Sequence, residues 1–311
     1  MISRLRFIIL TFSLAFIFFQ SCINDDNDSM EECSQGLSIS FYSRTKCQAE
    51  ATYPEVNDLM VFIFDKNDIL VRYSQLNDIN TGSGFTHTED LESGLYTVTA
   101  WSGLNDYHFF INEVEEGATS KEDLLFSLER NGNQAVSLEN INVYFGESNT
   151  VYVQEKTSGS VYDNIAVNIL EVTNRITITV EGLPAEDEYE ILIESGNGSM
   201  NIDGEIAEDE TIIYNPEEIL DSEILKSRFT LLKLETGPEY TIIIRNITED
   251  SELYRGSLLG ALILKNPYVN LNCDHDFTIN FTAHDQCDCG TYTIAEIWVN
   301  NWLVHSYETE M

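Results

Sequence analysis

The apolar residues of this chain fall into short runs separated by turn residues, and this pattern restricts the fold more than any other feature. Leu37, Ile39 and Phe41 are separated by serines, which is the two-residue period of a strand with one buried face. Residues 58–65 begin and end with aspartate, and every residue between the two is apolar. This is expected for a central strand that is covered on both faces. The pattern predicts an all-β chain with antiparallel sheets.

Further strands are predicted where β-branched and aromatic residues cluster between glycine, asparagine or aspartate. In the first half the predicted strands are residues 37–43, 58–65, 69–73, 84–88, 95–101, 135–145 and 151–154. In the second half they are residues 165–172, 175–180, 188–194, 229–234, 240–246, 253–258, 277–283 and 291–299, with a tight hairpin through Asn300 and Asn301 into 302–304. Short helices are predicted at residues 121–128 and 217–225.

The length of the chain indicates two domains. A chain of 311 residues exceeds what one ordinary hydrophobic core organises. A polar stretch with glycine at residues 155–164 separates the two strand-rich halves. We therefore expect β-sandwich domains at residues 33–158 and 159–311.

The N-terminus has the features of an exported lipoprotein. Two early arginines precede an apolar segment at residues 7–19, which is shorter than the roughly 20 residues that cross a bilayer. Ser21 and Cys22 follow, so a signal peptide of residues 1–21 and a lipid on Cys22 are predicted; an ordinary signal peptide with an incidental cysteine is the alternative. Residues 22–32 are polar and acidic, which predicts a tether. Its last ten residues reach roughly 33 Å when extended.

The charge of the chain excludes one class of partner. Fifty-three acidic residues against 16 basic residues leave a formal net charge of −37. A field of this sign opposes binding to a phosphate backbone, so no nucleic-acid partner is expected. An acidic, soluble extracellular surface is the simplest interpretation.

The cysteines fit an exported chain but leave their pairing open. Six cysteines less Cys22 leave an odd number, and several pairings are possible among Cys33, Cys47, Cys273, Cys287 and Cys289. The last three lie in one stretch with His275 and His284, which are residue types that bind metal. Their spacing is not that of a standard zinc motif, and an oxidising compartment favours disulfides, so we predict no metal site.

No motif for catalysis or for a cofactor is present. The chain lacks Gly-x-Ser-x-Gly, His-Glu-x-x-His and a phosphate-binding glycine loop, so no enzyme activity and no cofactor are predicted. Residues 197–204 carry oxygens at alternate positions, as in a calcium loop, but no bidentate glutamate follows at the required position. A glycine-containing hairpin is the better interpretation of this stretch.

Several segments in order, after the lipoprotein signal, resemble the FimB-like fimbrial anchor lipoproteins of Bacteroidales, which are related to the fimbrillins. The segments are residues 58–65 with their hairpin return, 94–104, 174–183 and 297–302. The resemblance spans the mature chain and implies two tandem transthyretin-like β-sandwich domains. The acidic tether is similar to the export signal of surface lipoproteins of Bacteroidetes. Together these imply a surface-exposed, lipid-anchored protein of the outer membrane at the base of a fimbrium, with a fimbrial stalk subunit as partner.

The resemblance also implies a mechanism of assembly by strand addition, in which an extended segment of one subunit completes the sheet of another. In related stalk subunits an arginine-directed protease removes the N-terminal segment and so opens the apolar groove that accepts the incoming strand. A subunit that keeps its N-terminal lipid keeps its first strand, so polymer growth would end there. Arg44 is the nearest basic residue for such a cut, and we expect it to remain uncut.

Two other functions remain open from the sequence. A surface glycan-binding lipoprotein would need exposed aromatic side chains, for which Trp101, Trp298 and Trp302 are candidates, although strand patterns favour burial of the first two. A fimbrial tip adhesin would differ only in its position along the polymer. The last strand either closes its own sheet, which we expect, or is offered to a neighbouring subunit.

Overall fold

The computed structural model describes residues 34–53, 55–82, 84–155, 159–219, 224–263, 269–285 and 292–306. These residues form sheets that are mostly antiparallel, which confirms the all-β prediction. The signal peptide, Cys22 and the acidic tether lie outside the described residues. Within the described ranges, no helix combines the length and the apolar character needed to cross a membrane.

The first part of the chain contributes thirteen strands among the described residues. They are β1 (Gln35–Tyr42), β2 (Asp58–Asp65), β3 (Leu70–Asn77), β4 (Thr86–Asp90), β5 (Gly94–Ser102), β6 (Phe109–Ile111), β7 (Leu125–Leu128), β8 (Arg130–Asn131), β9 (Gln134–Ala135), β10 (Tyr144–Glu147), β11 (Val151–Val153), β12 (Val161–Asn168) and β13 (Leu170–Glu171). One sheet has the order β12-β1-β4, and the facing sheet has the order β13-β10-β5-β2-β3, with β11 also paired to β5.

A separate apolar core fills the space between these two sheets. Alternate residues of β1 and β2, such as Ile39 and Ile63, are fully buried in it. The other face of β2 carries Phe62 and Phe64, which belong to a second core that continues into the later part of the chain. The apolar run at 58–65 is therefore explained, because β2 is covered on both faces as predicted.

The later part of the chain adds two six-stranded sheets. Its elements are β14 (Thr173–Glu181), β15 (Tyr189–Ser195), β16 (Ser199–Asn201), β17 (Ile212–Tyr214), β18 (Glu218–Ile219), β19 (Leu225–Leu232), β20 (Tyr240–Asn246), β21 (Ser251–Ser257), the helix α1 (Leu258–Ile263), β22 (Asp276–Asp285), β23 (Tyr292–Val299) and β24 (Trp302–Ser306). The sheet orders are β18-β19-β14-β22-β23-β24 and β21-β20-β15-β17-β9-β8. Their facing sides share the second core. We call the sheets β12-β1-β4 and β13-β10-β5-β2-β3 the first sandwich, and these two six-stranded sheets the later sandwich.

Strand pairing links the two parts more closely than the predicted boundary at residues 158–159 suggests. β12 and β13 follow that boundary, yet β12 pairs with β1 and β13 pairs with β10. In the other direction, β9 joins the later sheet through β17, and β7 pairs with β16 in a small third sheet, β16-β7-β6. A division by pairing falls near Val172, while the two-domain organisation itself stays a prediction.

Three predicted elements are wrong in whole or in part. Residues 121–128 are not a helix: Lys121–Asp123 form a single 3-10 turn, and β7 follows, with β6 and β16 as its hydrogen-bonding partners on either side. Residues 135–145 are strand only at their two ends. The helix predicted at 217–225 is replaced by β18 and the start of β19 at its ends, and residues 220–223 lie outside the described ranges. The helix α1 was not predicted.

Candidate assembly interface

The first strand occupies a central position in its sheet. β1 pairs antiparallel with β4 on one side and parallel with β12 on the other, along its whole length on the β12 side. Leu37 and Ile39 are fully buried and Phe41 is 3% exposed. Gly36 allows the close approach of β4, since a Cβ at this position would lie 1.8 Å from the carbonyl oxygen of Glu89. β1 is thus an integral part of the first sandwich.

Arg44 lies just beyond β1, and its backbone is held in place. The Arg44 N–H donates to Oδ1 of Asn168 at 2.8 Å, and Nδ2 of Asn168 donates back to the Arg44 carbonyl at 3.0 Å. Asn168 is the last residue of β12 and pairs with Tyr42. The Arg44 side chain is exposed, but the backbone on both sides of the residue is tied to the sheet.

One outer edge of the first sandwich is partly covered. β3 is the last strand of its sheet, and its Tyr73 N–H donates to the carboxylate of Glu116 at 2.9 Å. The Leu70 N–H donates to the carbonyl of Thr119 at 2.8 Å. These contacts occupy part of the edge that a foreign strand would need for pairing.

The C-terminal hairpin forms as predicted. Asn300 and Asn301 both have positive φ, at 46° and 64°, and they connect β23 to β24. β24 is the final strand in the order of its sheet. Val304 is buried at 7% exposure, while Trp302 and Leu303 are 44% and 40% exposed. β24 therefore pairs within its own sheet and carries apolar side chains at the surface.

An aromatic cluster joins the two parts of the chain. Trp101 is fully buried, with its ring centre 4.8 Å from that of Phe126 and 4.9 Å from that of Phe145. The indole N–H of Trp101 donates to the carbonyl of Ile202 at 3.1 Å. Gly204 passes so close to Phe145 that an added Cβ would lie 2.4 Å from the ring. These contacts are packed too tightly for the two parts to slide past each other.

Ion pairs reinforce the same junction. Arg130 makes a bidentate pair with Asp209, at 3.2 and 2.6 Å, and Ser199 also donates to Asp209. Burial disfavours the charged carboxylate, but the hydrogen bonds from Arg130 and Ser199 outweigh it and hold the pKa of Asp209 below its usual value. The Lys121 ammonium donates a hydrogen bond of 3.1 Å to Oδ1 of Asp203 and also contacts the carboxylate of Glu147. Burial opposes the charge on Lys121, and its two carboxylate partners overcome that effect and raise its pKa.

A third set of polar contacts surrounds Arg175 of β14. Its guanidinium pairs with both carboxylate oxygens of Asp276, at 2.7 and 3.0 Å. It also donates to Asn142 at 3.0 Å and contacts Glu171 of β13. Hydrogen bonds from Arg175 lower the pKa of Asp276, with burial acting in the opposite direction. The arginine thus ties the central strands of the later sheet to the end of the earlier one.

Two of the cysteines whose pairing the sequence left open form a disulfide in the structure. Cys47 and Cys273 form a disulfide between positions 226 residues apart, with their Cα atoms at 6.1 Å. The stretch of possible metal ligands is thereby divided, since Cys273 is bonded to sulfur and His275 Nδ1 lies 3.1 Å from the Thr173 carbonyl. No group of three or more metal-binding side chains occurs within the described ranges. Cys33, Cys287 and Cys289 lie outside them.

The candidate calcium loop is a turn stabilised by its own asparagine. Oδ1 of Asn201 accepts the N–H groups of Asp203 and Glu205, at 3.1 and 3.0 Å. Gly204 has a φ of +72°, which glycine adopts without strain. The hairpin interpretation fits this geometry, because the asparagine oxygen is used by the backbone.

Of the three tryptophans that the sequence singled out, Trp302 has an exposed side chain, at 44%, and the other two are covered as the strand patterns favoured. Trp101 is buried, and Trp298 is half-buried on a sheet face with its indole N–H donating to Glu296 at 2.9 Å. Among the described residues, the most exposed aromatic side chains are Tyr107 at 74% and Phe110 at 57%. Tyr107 lies in the loop before β6 and Phe110 lies in β6, a strand of three residues that is too short to show a period, so no pattern in the sequence identified them.

Comparison with known proteins gives one family. The model of the family described as fimbrillin-A associated anchor proteins Mfa1 and Mfa2 matches residues 30–308. The minor fimbrium anchoring subunit Mfa2 of Porphyromonas gingivalis is 35% identical over 300 residues, covering 94% of this chain and 92% of that protein.

Solved structures agree with this result. The fimbrial anchor protein Mfa2 from P. gingivalis superposes with a TM-score of 0.80 at 34% identity, covering 88% of this chain and all of that one. A Bacteroides thetaiotaomicron protein has a TM-score of 0.72 at 18% identity, covering 90% of this chain and 99% of its own, and it shares the fold alone. The chain described here belongs to the family of fimbrillin-A associated anchor proteins Mfa1 and Mfa2.

Proposed function

We propose that this chain anchors a fimbrium in the outer membrane and ends the growth of the fimbrial polymer. A lipid on Cys22 holds the chain in the membrane, and residues 22–32 carry the folded body clear of the surface. A fimbrial stalk subunit is the partner and binds by strand addition. Membership of a family of anchor proteins supports the anchoring role, and the short apolar segment before Cys22 supports the lipid.

The observation that carries the termination step is the position of β1. This strand lies between β4 and β12 and buries Leu37, Ile39 and Phe41. Burial of an apolar side chain of this size contributes about 1.5–3 kcal/mol, so removal of β1 carries a large free-energy cost before its backbone hydrogen bonds are counted. A donor strand from a neighbouring subunit therefore meets an occupied position in this sheet.

The contacts at Arg44 support retention of that strand. A protease needs the cleaved bond in a locally opened chain, and both backbone groups of Arg44 are bonded to Asn168. We propose that β1 stays attached in the mature protein. The stalk subunit then pairs at a sheet edge other than the covered part of β3.

The experiment that tests the proposal separates attachment from length control. A strain that lacks the gene is compared with the wild type for fimbriae on cells, fimbriae in the medium, and fimbrial length by electron microscopy. We expect long fimbriae in the medium. Complementation with Cys22→Ser is expected to restore the length while the fimbriae still detach, whereas Cys33→Ser, a matched cysteine change, restores both.

Two outcomes contradict the proposal. If fimbriae of the deletion strain stay attached with unchanged length, the chain is neither anchor nor terminator. If uptake of one polysaccharide is lost instead, the glycan-binding function is favoured.

A further inference from the structure

The disulfide joins the segment after the first described strand to the segment before β22 of the later part of the chain. Cys47 lies five residues after Tyr42, the end of β1, and Cys273 lies three residues before Asp276, the start of β22. β22 is an inner strand of its sheet, between β14 and β23. The covalent path from β1 to the later sandwich therefore takes a few residues and one S–S bond.

The backbone between the two cysteines takes a far longer route. The 226 residues that separate them include β2 to β21 and α1, which is most of both sandwiches. With the disulfide in place, this segment is a closed loop. Tension between the N-terminal end and β22–β24 passes through the S–S bond and leaves the loop without load. A force applied to a residue inside the loop is shared by the two stretches of backbone that connect this residue to Cys47 and to Cys273.

The non-covalent contacts around Cys47 do not provide an equivalent connection. Cys47 is exposed in the segment that follows β1, where Asn270 Nδ2 lies 3.4 Å from its sulfur. A backbone pairing between Ser43 and Thr52 closes the same segment on itself. The first contact is a single weak hydrogen bond to sulfur and the second is local, so the S–S bond is the strong link between this segment and the later sheet.

We infer that the Cys47–Cys273 disulfide is a mechanical staple, which holds the anchor at a short, fixed length when the fimbrium is pulled. This inference rests on the proposed anchoring function, in which one end is held by lipid at Cys22 and the other is loaded by the stalk. Tension that draws β1 out of its sheet then stops at Cys47 instead of unravelling the sandwiches one after another.

The first test measures extension of the mature chain under force. The protein is pulled between its N- and C-termini in single-molecule experiments, as the wild type and as the Cys47→Ser/Cys273→Ser variant. The variant is expected to lengthen by roughly 750–810 Å more than the wild type, the span of 226 extended residues. Equal lengthening of the two proteins overturns the staple.

The second test measures retention of fimbriae under flow. Cells that carry the double variant are expected to hold fimbriae in still medium and to lose them at a shear at least twofold below that which strips the wild type. Brief treatment of wild-type cells with a reductant acts on protein that is already folded and is expected to reproduce this loss. The same treatment of the double variant controls for other cysteines and is expected to change nothing.

The outcomes distinguish the staple from the anchor. If the deletion strain sheds its fimbriae while the double variant and the reduced wild type keep them at full shear, the staple is wrong and the anchoring function stands. If the deletion strain keeps its fimbriae, the anchoring function fails and the staple fails with it.

Discussion

The indole N–H of Trp101, in the first sandwich, donates a 3.1 Å hydrogen bond to the carbonyl of Ile202, which follows β16 in the later part of the chain. The ring is fully buried between Phe126 and Phe145. The strand that carries Trp101 thus contributes to two cores, one on each of its faces. This contact makes the junction between the two parts a packed interior instead of a linker.

Replacement of Trp101 tests this junction. Trp101→Phe keeps an aromatic ring but leaves the Ile202 carbonyl without its donor, which costs about 1–3 kcal/mol in the free energy of unfolding. Urea denaturation followed by circular dichroism measures the change. Trp302→Phe, at a position that is 44% exposed, is the control and is expected to stay within about 0.5 kcal/mol of the wild type. Equal effects of the two substitutions would contradict the conclusion that Trp101 stabilises the junction through its hydrogen bond.

The pair of Arg130 and Asp209 predicts a dependence on pH. The pKa of Asp209 is lowered in the folded chain, so its contribution to stability is fully present above the unfolded value of about 3.9 and is lost as the pH falls through the folded value. Asp209→Asn is expected to lower the free energy of unfolding by about 1–3 kcal/mol at pH 7.

The difference between Asp209→Asn and the wild type is expected to shrink below about pH 4, because the wild-type carboxylate is then protonated. Urea denaturation at pH 7 and at successively lower pH measures it. Asp106→Asn, an exposed change of the same chemistry, serves as control. A difference that stays constant across this range shows that the ion pair is not its cause.

Asn168 is expected to protect the chain from cleavage after Arg44. Asn168→Ala removes both hydrogen bonds to the Arg44 backbone, each worth about 0.5–1.5 kcal/mol. Opening of this segment should become about 5- to 150-fold more frequent, at a factor of ten for every 1.4 kcal/mol. Limited digestion with an arginine-specific protease, followed by mass spectrometry of the N-terminal fragment, measures the rate. Unchanged cleavage in the variant, or rapid cleavage of the folded wild type, rules out this protection.

Ile39 is expected to carry much of the stability of β1. Ile39→Ala opens a cavity between the two sheets of the first sandwich and should cost about 2–5 kcal/mol of unfolding free energy. Ser38→Ala changes the neighbouring residue on the opposite face of the same strand and should stay within about 0.5 kcal/mol. If both variants unfold like the wild type, β1 is not an essential strand, and the proposal that it blocks strand addition loses its support.

Local pattern was sufficient for the features that depend on neighbours in the sequence. The run at residues 58–65 identified a strand covered on both faces, and Asn300 and Asn301 identified a tight hairpin. Local pattern failed at residues 121–128, where a weak helical period lies in a segment that becomes β7. β7 lies between β6 and β16 in its sheet, and β16 is too far along the chain for a local pattern to reveal this pairing.

At the candidate interface, too, the sequence predicted some features, and others became visible only in the structure. The alternation of Leu37, Ile39 and Phe41 identified the first strand, but not that β12, from beyond the predicted boundary, would be its parallel partner. Arg44 was visible in the sequence, while the two hydrogen bonds from Asn168 were not. The exposed Tyr107 and Phe110 gave no signal, because neither a loop nor the three-residue strand β6 is long enough to show a period from which exposure can be read.

The sequence by itself determined the class of fold and the position of the longer strands, since side-chain period and turn chemistry act between residues close along the chain. Only the tertiary structure decided which strands pair across the predicted boundary, that β5 contributes to two cores, and that Cys47 forms a disulfide with Cys273. These choices depend on how distant segments fill a shared volume and satisfy one another's hydrogen bonds, and that information is not carried by any single stretch of the chain.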